Sequence, residues 1–299
     1  MAGPESQVLV YDVGGSHISA AVFDREHCTV QGVVTQGYPA EQSIETFLNV
    51  LQSLATRAAQ GQADIAGVSI AMPGPFDYEH GVSWMQHKLP YLYGFDLRRA
   101  LAARLGKVDA QVRFLNDGAA YLLGEISAGA AQGVSRAVAI TLGTGVGSAF
   151  AVDGHVIREG TGVPPGGEIW NLPYEGGILE DQISTRAIRQ SYQSRTGEDR
   201  DVAAIAASAA QDAVAAEVFT DFGRTMGAAL RTVLAAFGPQ VIVLGGGISR
   251  SAQLFLPAAQ AELDALSVEL RVSSLGEIAP LVGAGAAWFQ AEGSALPTN

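Results

Sequence analysis

Cysteine is all but missing: Cys28 is the only one in 299 residues. A lone thiol excludes an internal disulfide and any zinc site built on cysteines, and it fits a reducing cytoplasm. Lysine is nearly as scarce, with Lys88 and Lys107 alone, and 30 acidic against 18 basic residues leave a formal charge of -12. A surface of that sign repels nucleic acid and anionic lipid, which argues against either as a main partner. A phosphate compound bound here must be held by backbone amides, helix ends and a metal ion rather than by a basic patch. Long apolar runs are absent too. The longest uncharged stretch, 232–249, is broken by Gly238-Pro239 and Gly245-Gly246-Gly247, so it reads as helix, turn and strand and not as a membrane span. The opening MAGPESQ has neither the basic nor the apolar segment of a secretory signal.

What the chain does have is apolar residues and glycine. With 48% hydrophobic and 16% charged residues it can bury a sizeable core, and its length suits one large domain or two closely associated ones. Segments 7–14, 17–24 and 28–36 read as strands, the first two joined by a Gly-Gly-Ser turn into a hairpin. Apolar spacing predicts a helix over 43–59 with Ser43 as N-cap. Segments 64–72 and 111–117 read as strands, and 95–105 and 118–126 as helices. The second half restarts the pattern, with strands at 135–143 and 146–154 around Thr144-Gly145. A Gly/Pro-rich loop (161–168), a helix from about Leu179, helices over 201–236, a buried strand within 238–247, a helix from Ile248 and a closing helix at 281–292 complete the reading. The repeated strand, glycine turn and returning strand suggest two related lobes facing each other across a cleft.

Three glycine elements are candidates for holding phosphate. In Asp12-Val13-Gly14-Gly15-Ser16 a strand delivers a carboxylate, and the residues after it expose amides that can point at an anion, with the Ser16 hydroxyl as a further donor. Asp12 could hold water around a magnesium ion, or could be an ordinary turn residue. Gly143, Gly145 and Gly147 weaken an apolar hairpin, a cost that a close approach to β- and γ-phosphates would justify, and a β-bulge would equally explain. Gly245, Gly246 and Gly247 end a buried strand, where ligands of open α/β sheets bind. Asn116-Asp117 joins a strand to a helix, so Asp117 is either a helix cap or a general base between the glycine hairpins. Glu168 and Glu180 flank the Gly/Pro-rich loop and suit the acceptance of hydrogen bonds from sugar hydroxyls.

Taken together, DVGGS (12–16), AMPGP (71–75), NDGAAYLLGE (116–125), LGTGVG (142–147), LGGG (244–247) and VGAGAAW (282–288) resemble, in this order, the motifs of the ROK family of kinases and repressors. The resemblance covers nearly the whole chain. It implies an α/β, two-lobed actin-like ATPase (ribonuclease H-like) fold with a central cleft. It also implies a smaller N-terminal lobe of 1–117 with 282–299 and a larger lobe of 118–281. The implied activity is ATP-dependent transfer of a phosphoryl group to the 6-hydroxyl of a hexose such as glucose. By the same resemblance Asp117 is the catalytic base, and Asn116, Glu168, Glu180 and Gly74 lie on the sugar side. Asp12, Gly14, Gly15, Ser16, Gly143, Thr144, Gly145, Gly245, Gly246 and Gly247 lie on the nucleotide side, with magnesium near Asp12. A homodimer is also implied.

The chain departs from the family at the family's zinc-binding segment. Asn171 stands where the family carries a histidine, and 172–180 contains no cysteine, so no zinc is expected and the loop is expected to be held by Trp170, Leu172, Pro173 and Tyr174. Without that histidine, the choice among glucose, mannose, N-acetylhexosamines, fructose and allose stays open. Two rival activities are a sugar-sensing protein without turnover and an ATPase without a sugar; a kinase using polyphosphate is disfavoured by the scarcity of lysine. Regulation by DNA binding through a helix-turn-helix domain is not expected. His87 and Lys88, in the segment 84–94, receive no role.

Overall fold

The computed structural model describes residues 6–39, 42–61 and 65–291. β1 (Gln7–Val13) and β2 (His17–Asp24) pair antiparallel around the Gly14–Ser16 turn, from Gln7 opposite Asp24 to Val13 opposite Ile18. β3 (Thr29–Gly37) pairs antiparallel with β2 at the sheet edge, and its alternating exposure fits a strand with one wet face. α1 (Ile44–Ala59) begins at Ser43 as expected: the Ser43 hydroxyl accepts from Thr46 N at 3.2 Å, and Thr46 Oγ1 accepts from Ser43 N at 2.9 Å. Its buried stripe of Phe47, Leu48, Leu51 and Leu54 joins the core, and the Tyr11 hydroxyl donates to Leu51 O.

β4 (Val68–Met72) is wholly buried and lies parallel to β1. A small hairpin of β5 (Phe76–Asp77) and β6 (Val82–Ser83) and the Asp96-capped α2 (Leu97–Leu105) follow. β7 (Val112–Asn116) then adds parallel to β4 and runs directly into α3 (Asp117–Ala128). The sheet order is β3-β2-β1-β4-β7. Because β1, β4 and β7 are parallel, their carboxyl ends share one edge. Asp12 is opposite Ala71, and Met72 is opposite Asn116.

The second unit repeats this plan. β8 (Arg136–Leu142) and β9 (Val146–Val152) form the hairpin around 143–145, and β10 (His155–Ile157) extends it. The short strands β11 (Pro173–Tyr174) and β12 (Gly177–Ile178) pair, and α4 (Leu179–Ile183), α5 (Thr185–Thr196), α6 (Val202–Ser208) and α7 (Ala213–Leu234) follow. β13 (Val241–Gly245) lies parallel to β8, and after α8 (Leu256–Leu263) β14 (Glu269–Val272) lies parallel to β13. The order β10-β9-β8-β13-β14 has the same connectivity as the first sheet. Each unit has its own apolar core. No single helix among the described residues is long and apolar enough to cross a membrane.

The chain divides into Met1–Gly129 with Glu277–Asn299, and Ala130–Gly276. The expected boundaries at 117/118 and 281/282 therefore move, and the two units are of nearly equal length. The reason is α9 (Ala279–Ala291), which crosses α3 with backbones almost touching. A Cβ on Gly283 would lie 1.7 Å from Ala120 O, and one on Gly124 would lie 2.1 Å from Ala279 O. α3 thus packs as part of the first unit.

Other expectations need revision. The segment from Ile248 is not one helix: a 3-10 stretch, Gly247–Leu254, precedes α8. The Ser249 hydroxyl donates to Gly246 O, Ser251 leaves helical geometry, and Pro257 in the first turn of α8 lacks the N–H that would continue an earlier helix. The expected helices over 201–236 are two, α6 and α7, separated before Asp212, whose carboxylate caps α7 through Val214 N and Ala215 N. β10, β14 and the β11–β12 hairpin were not foreseen. Asp64 and Glu292, at the ends of two expected elements, lie outside the described residues.

Candidate active site

In the first unit the candidate residues gather at the carboxyl edge of β1, β4 and β7. Asn116, not Asp117, caps α3: its Oδ1 accepts from Ala119 N at 3.1 Å. Its Nδ2 donates to the Tyr78 hydroxyl at 3.2 Å and to Asp117 Oδ1 at 3.0 Å, and Tyr78 donates to Met72 O at 3.2 Å. Gly118 N also donates to Asp117 Oδ1, at 2.8 Å. The Asn116 and Gly118 donors sit on one oxygen, which fixes the half-buried carboxylate.

Burial raises the Asp117 pKa above the ordinary carboxylate range, while the Gly118 amide, the Lys88 charge and the Asn116 amide pull it back. Asp12 is pushed up to about 7 by burial, with the Asp117 charge adding to the rise. No described residue donates a hydrogen bond to the Asp12 carboxylate. Two neighbouring carboxylates, one without a donor, are a setting that a divalent cation relieves. The residues present therefore fit magnesium carried in with a nucleotide.

The glycine turn beside Asp12 is open. Gly14 N donates to His17 O, Tyr38 donates to Gly14 O at 2.6 Å, and Ser16 Oγ is 3.0 Å from His17 Nδ1. A Cβ on Gly15 would meet nothing within 4 Å, so nothing in the protein itself requires glycine there. Gly74 lies in the loop after β4, where a Cβ would come 3.5 Å from the Tyr78 hydroxyl.

The second unit holds the remaining candidates. Gly246 packs its Cα onto the backbone of Leu142, where a Cβ would lie 2.3 Å from Leu142 O, so the turn at 245–247 sits against the start of the turn at 143–145. Gly247, Gly143 and Thr144 lie at open positions of these turns. Glu180, in the first turn of α4, accepts from Val146 N at 2.9 Å through Oε2. Glu168 is exposed and accepts from Trp170 Nε1 at 3.0 Å. Ser148 secures this loop by donating to Gly167 O and accepting from Ile169 N.

The segment expected to be held by Trp170, Leu172, Pro173 and Tyr174 contains the β11–β12 hairpin. Leu172 and Tyr174 pack on the core as expected, but Trp170 is 39% exposed and Pro173 is exposed as well. Asp181 completes the hold by accepting from Ile178 N and pairing with Arg186. Among the described residues no group of three or more His, Cys, Asp and Glu side chains is placed to hold a metal ion.

Sequence reasoning missed Tyr78, which orients Asn116, and gave Lys88 no role although its charge reaches Asp117. Neither carries a sequence signal, because both lie in loops whose path the local residues do not dictate.

A fold in which two sheets of identical connectivity each present a glycine hairpin is that of the actin-like ATPases. The profile described as "ROK family" matches residues 8–292. The chain is 28% identical to a glucokinase of Thermotoga maritima, over 94% of this chain and 96% of that protein. It is similar to the ROK hexokinase of Thermus thermophilus, with a TM-score of 0.78 and 28% identity over 96% of this chain and 100% of that one. A ROK family glucokinase from Streptomyces griseus, solved in complex with glucose and AMPPNP, shares the fold with a TM-score of 0.75 at 24% identity, over 94% of this chain and 98% of that one. The chain belongs to the ROK family and is a sugar kinase of it.

Proposed function

We propose that this sugar kinase transfers the γ-phosphoryl group of ATP to the 6-hydroxyl of a hexose such as glucose, with Asp117 as general base. The carrying observation is that Asn116 takes over the capping of α3, so the Asp117 carboxylate is held in place without being consumed by the helix. Its raised pKa suits a group that must accept a proton near neutrality. Asn116, Glu168, Glu180 and the loop at Gly74 hold the sugar hydroxyls. The turns at 12–16, 143–145 and 245–247 hold the nucleotide. Magnesium, ordered through Asp12, would neutralise phosphate charge in a chain with few cations. Most of the rate enhancement then comes from positioning and electrostatics, since phosphoryl transfer needs little covalent help.

The same reading places the enzyme in the cytoplasm as a homodimer, with no nucleic acid or membrane partner. The test is coupled ADP release with ATP and magnesium over glucose, mannose, fructose, allose and N-acetyl-D-glucosamine. Sugar-dependent ADP from at least one hexose is expected, and Asp117→Asn should lower its kcat by about a hundredfold or more. Sugar-independent hydrolysis or no turnover at all would favour an ATPase or a sensor. Near-normal turnover in Asp117→Asn would remove the base.

A further inference from the structure

Gly145 does not have a positive φ, so its backbone does not demand glycine. What a side chain there would displace is the Glu180 carboxylate: a Cβ at 145 would lie 2.9 Å from Glu180 Oε2, the same oxygen that accepts from Val146 N at 2.9 Å. Just past α4, Thr185 N donates to Gly143 O at 2.8 Å, so the turn is gripped at both ends from one short segment. Glu180 N in turn donates to Trp170 O at 3.0 Å, and Trp170 Nε1 donates to Glu168 Oε2 at 3.0 Å. One run of hydrogen bonds therefore links Glu168, Trp170 and Glu180 to the turn at 143–146. It joins two carboxylates suited to sugar hydroxyls with a turn suited to phosphate.

We infer that Glu180 is a positioning residue that couples the acceptor sugar to the nucleotide: a sugar held on its carboxylate fixes Val146 and hence the neighbouring amides of the phosphate turn. The inference rests on the sugar role proposed above for Glu168 and Glu180. Coupling of two ligands through a shared group is reciprocal, so bound sugar and bound nucleotide raise each other's affinity by the same factor. A Glu180 serving only the sugar would leave nucleotide binding alone, and a Glu180 serving only the fold would change melting without separating the two ligands.

The test is calorimetric titration of single ligands. AMPPNP with magnesium and no sugar should bind Glu180→Ala about fivefold or more weakly than wild type. Glu180→Gln keeps an oxygen to accept from Val146 N, so it should return AMPPNP affinity to within about twofold of wild type. Gly145→Ala places a methyl group 2.9 Å from Glu180 Oε2, so the carboxylate must move away from Val146 N. Without nucleotide it should weaken binding of glucose, or of mannose or N-acetyl-D-glucosamine if one of these is the sugar wild type binds, by about fivefold.

Unchanged AMPPNP affinity in Glu180→Ala overturns the coupling, as does unchanged sugar affinity in a folded Gly145→Ala. Thermal melts by circular dichroism establish folding, and if Gly145→Ala does not fold the Glu180 pair decides. The kinase reading fails on a different observable, ADP release across the hexose panel, whereas these titrations read binding alone.

Discussion

Asp117 and Asp12 are two carboxylates at one sheet edge, and their protonation is set by different neighbours. Lys88 is the cation that lowers the Asp117 pKa against burial. Removing a positive charge disfavours the carboxylate, so Lys88→Gln should raise that pKa and move the acid limb of the kcat/KM profile to higher pH, with the plateau at alkaline pH little changed. An unmoved limb would mean that Lys88 is only a solvated loop residue. For Asp12 the sign is opposite to that of a salt-bridged carboxylate. Its folded pKa of about 7 lies above the ordinary value of 3.8, so folding favours its protonated form. The associated stability is fully present below the unfolded value and is lost as pH rises through about 7. Asp12→Asn, melted without nucleotide or metal, should therefore match wild type at pH 3.8 and below, and exceed it in stability once the pH passes about 7. A constant difference across that range would remove the account.

At the level of elements, glycines that look alike in the sequence answer to different neighbours. Gly283 and Gly124 let α3 and α9 cross with backbone against backbone, where neither side can yield. Gly283→Ala should cost about 1–3 kcal/mol or more by denaturant unfolding, in line with overpacking of a closed contact. Gly15→Ala should leave unfolding unchanged, because the added methyl meets nothing, yet weaken AMPPNP binding by crowding the phosphate turn. Equal stability losses in the two variants would deny the distinction.

That distinction also marks how far the sequence could be read. Strand-turn-strand patterns, the Ser43 cap and the β7–α3 junction were legible, since alternation, capping chemistry and turn residues act locally. The order of the six motifs pointed to the family whose profile matches residues 8–292. What was hidden depended on contacts distant in sequence. Nothing near residue 117 indicates that α3 belongs with α9, nothing near 145 indicates that Glu180 fills the space beside it, and the 3-10 stretch after Gly247 depends on a serine turning back to Gly246. The exchange of roles at 116–117, with the asparagine as cap and the aspartate spared, is a one-residue question that local pattern alone leaves open.

For the whole molecule, the sequence repeat and the fold agree: the two sheets share one connectivity, and the hairpins β1–β2 and β8–β9 occupy equivalent places in it. Each unit thus contributes the same device, a turn of small residues whose amides can face an anion. This matters because the net charge of -12 works against an anionic nucleotide at long range. If backbone amides and a metal ion do the holding, the protein's overall field slows the encounter and added salt relieves it. The kcat/KM for magnesium-ATP should then rise, by about twofold, as KCl goes from roughly 20 to 200 mM at fixed free magnesium. A cluster of arginines steering the nucleotide would give the opposite slope, because screening would remove an attraction. Steady-state rates at a saturating sugar concentration separate the two cases, and a several-fold fall with salt would show that a local basic surface, not the turns alone, brings the phosphates in.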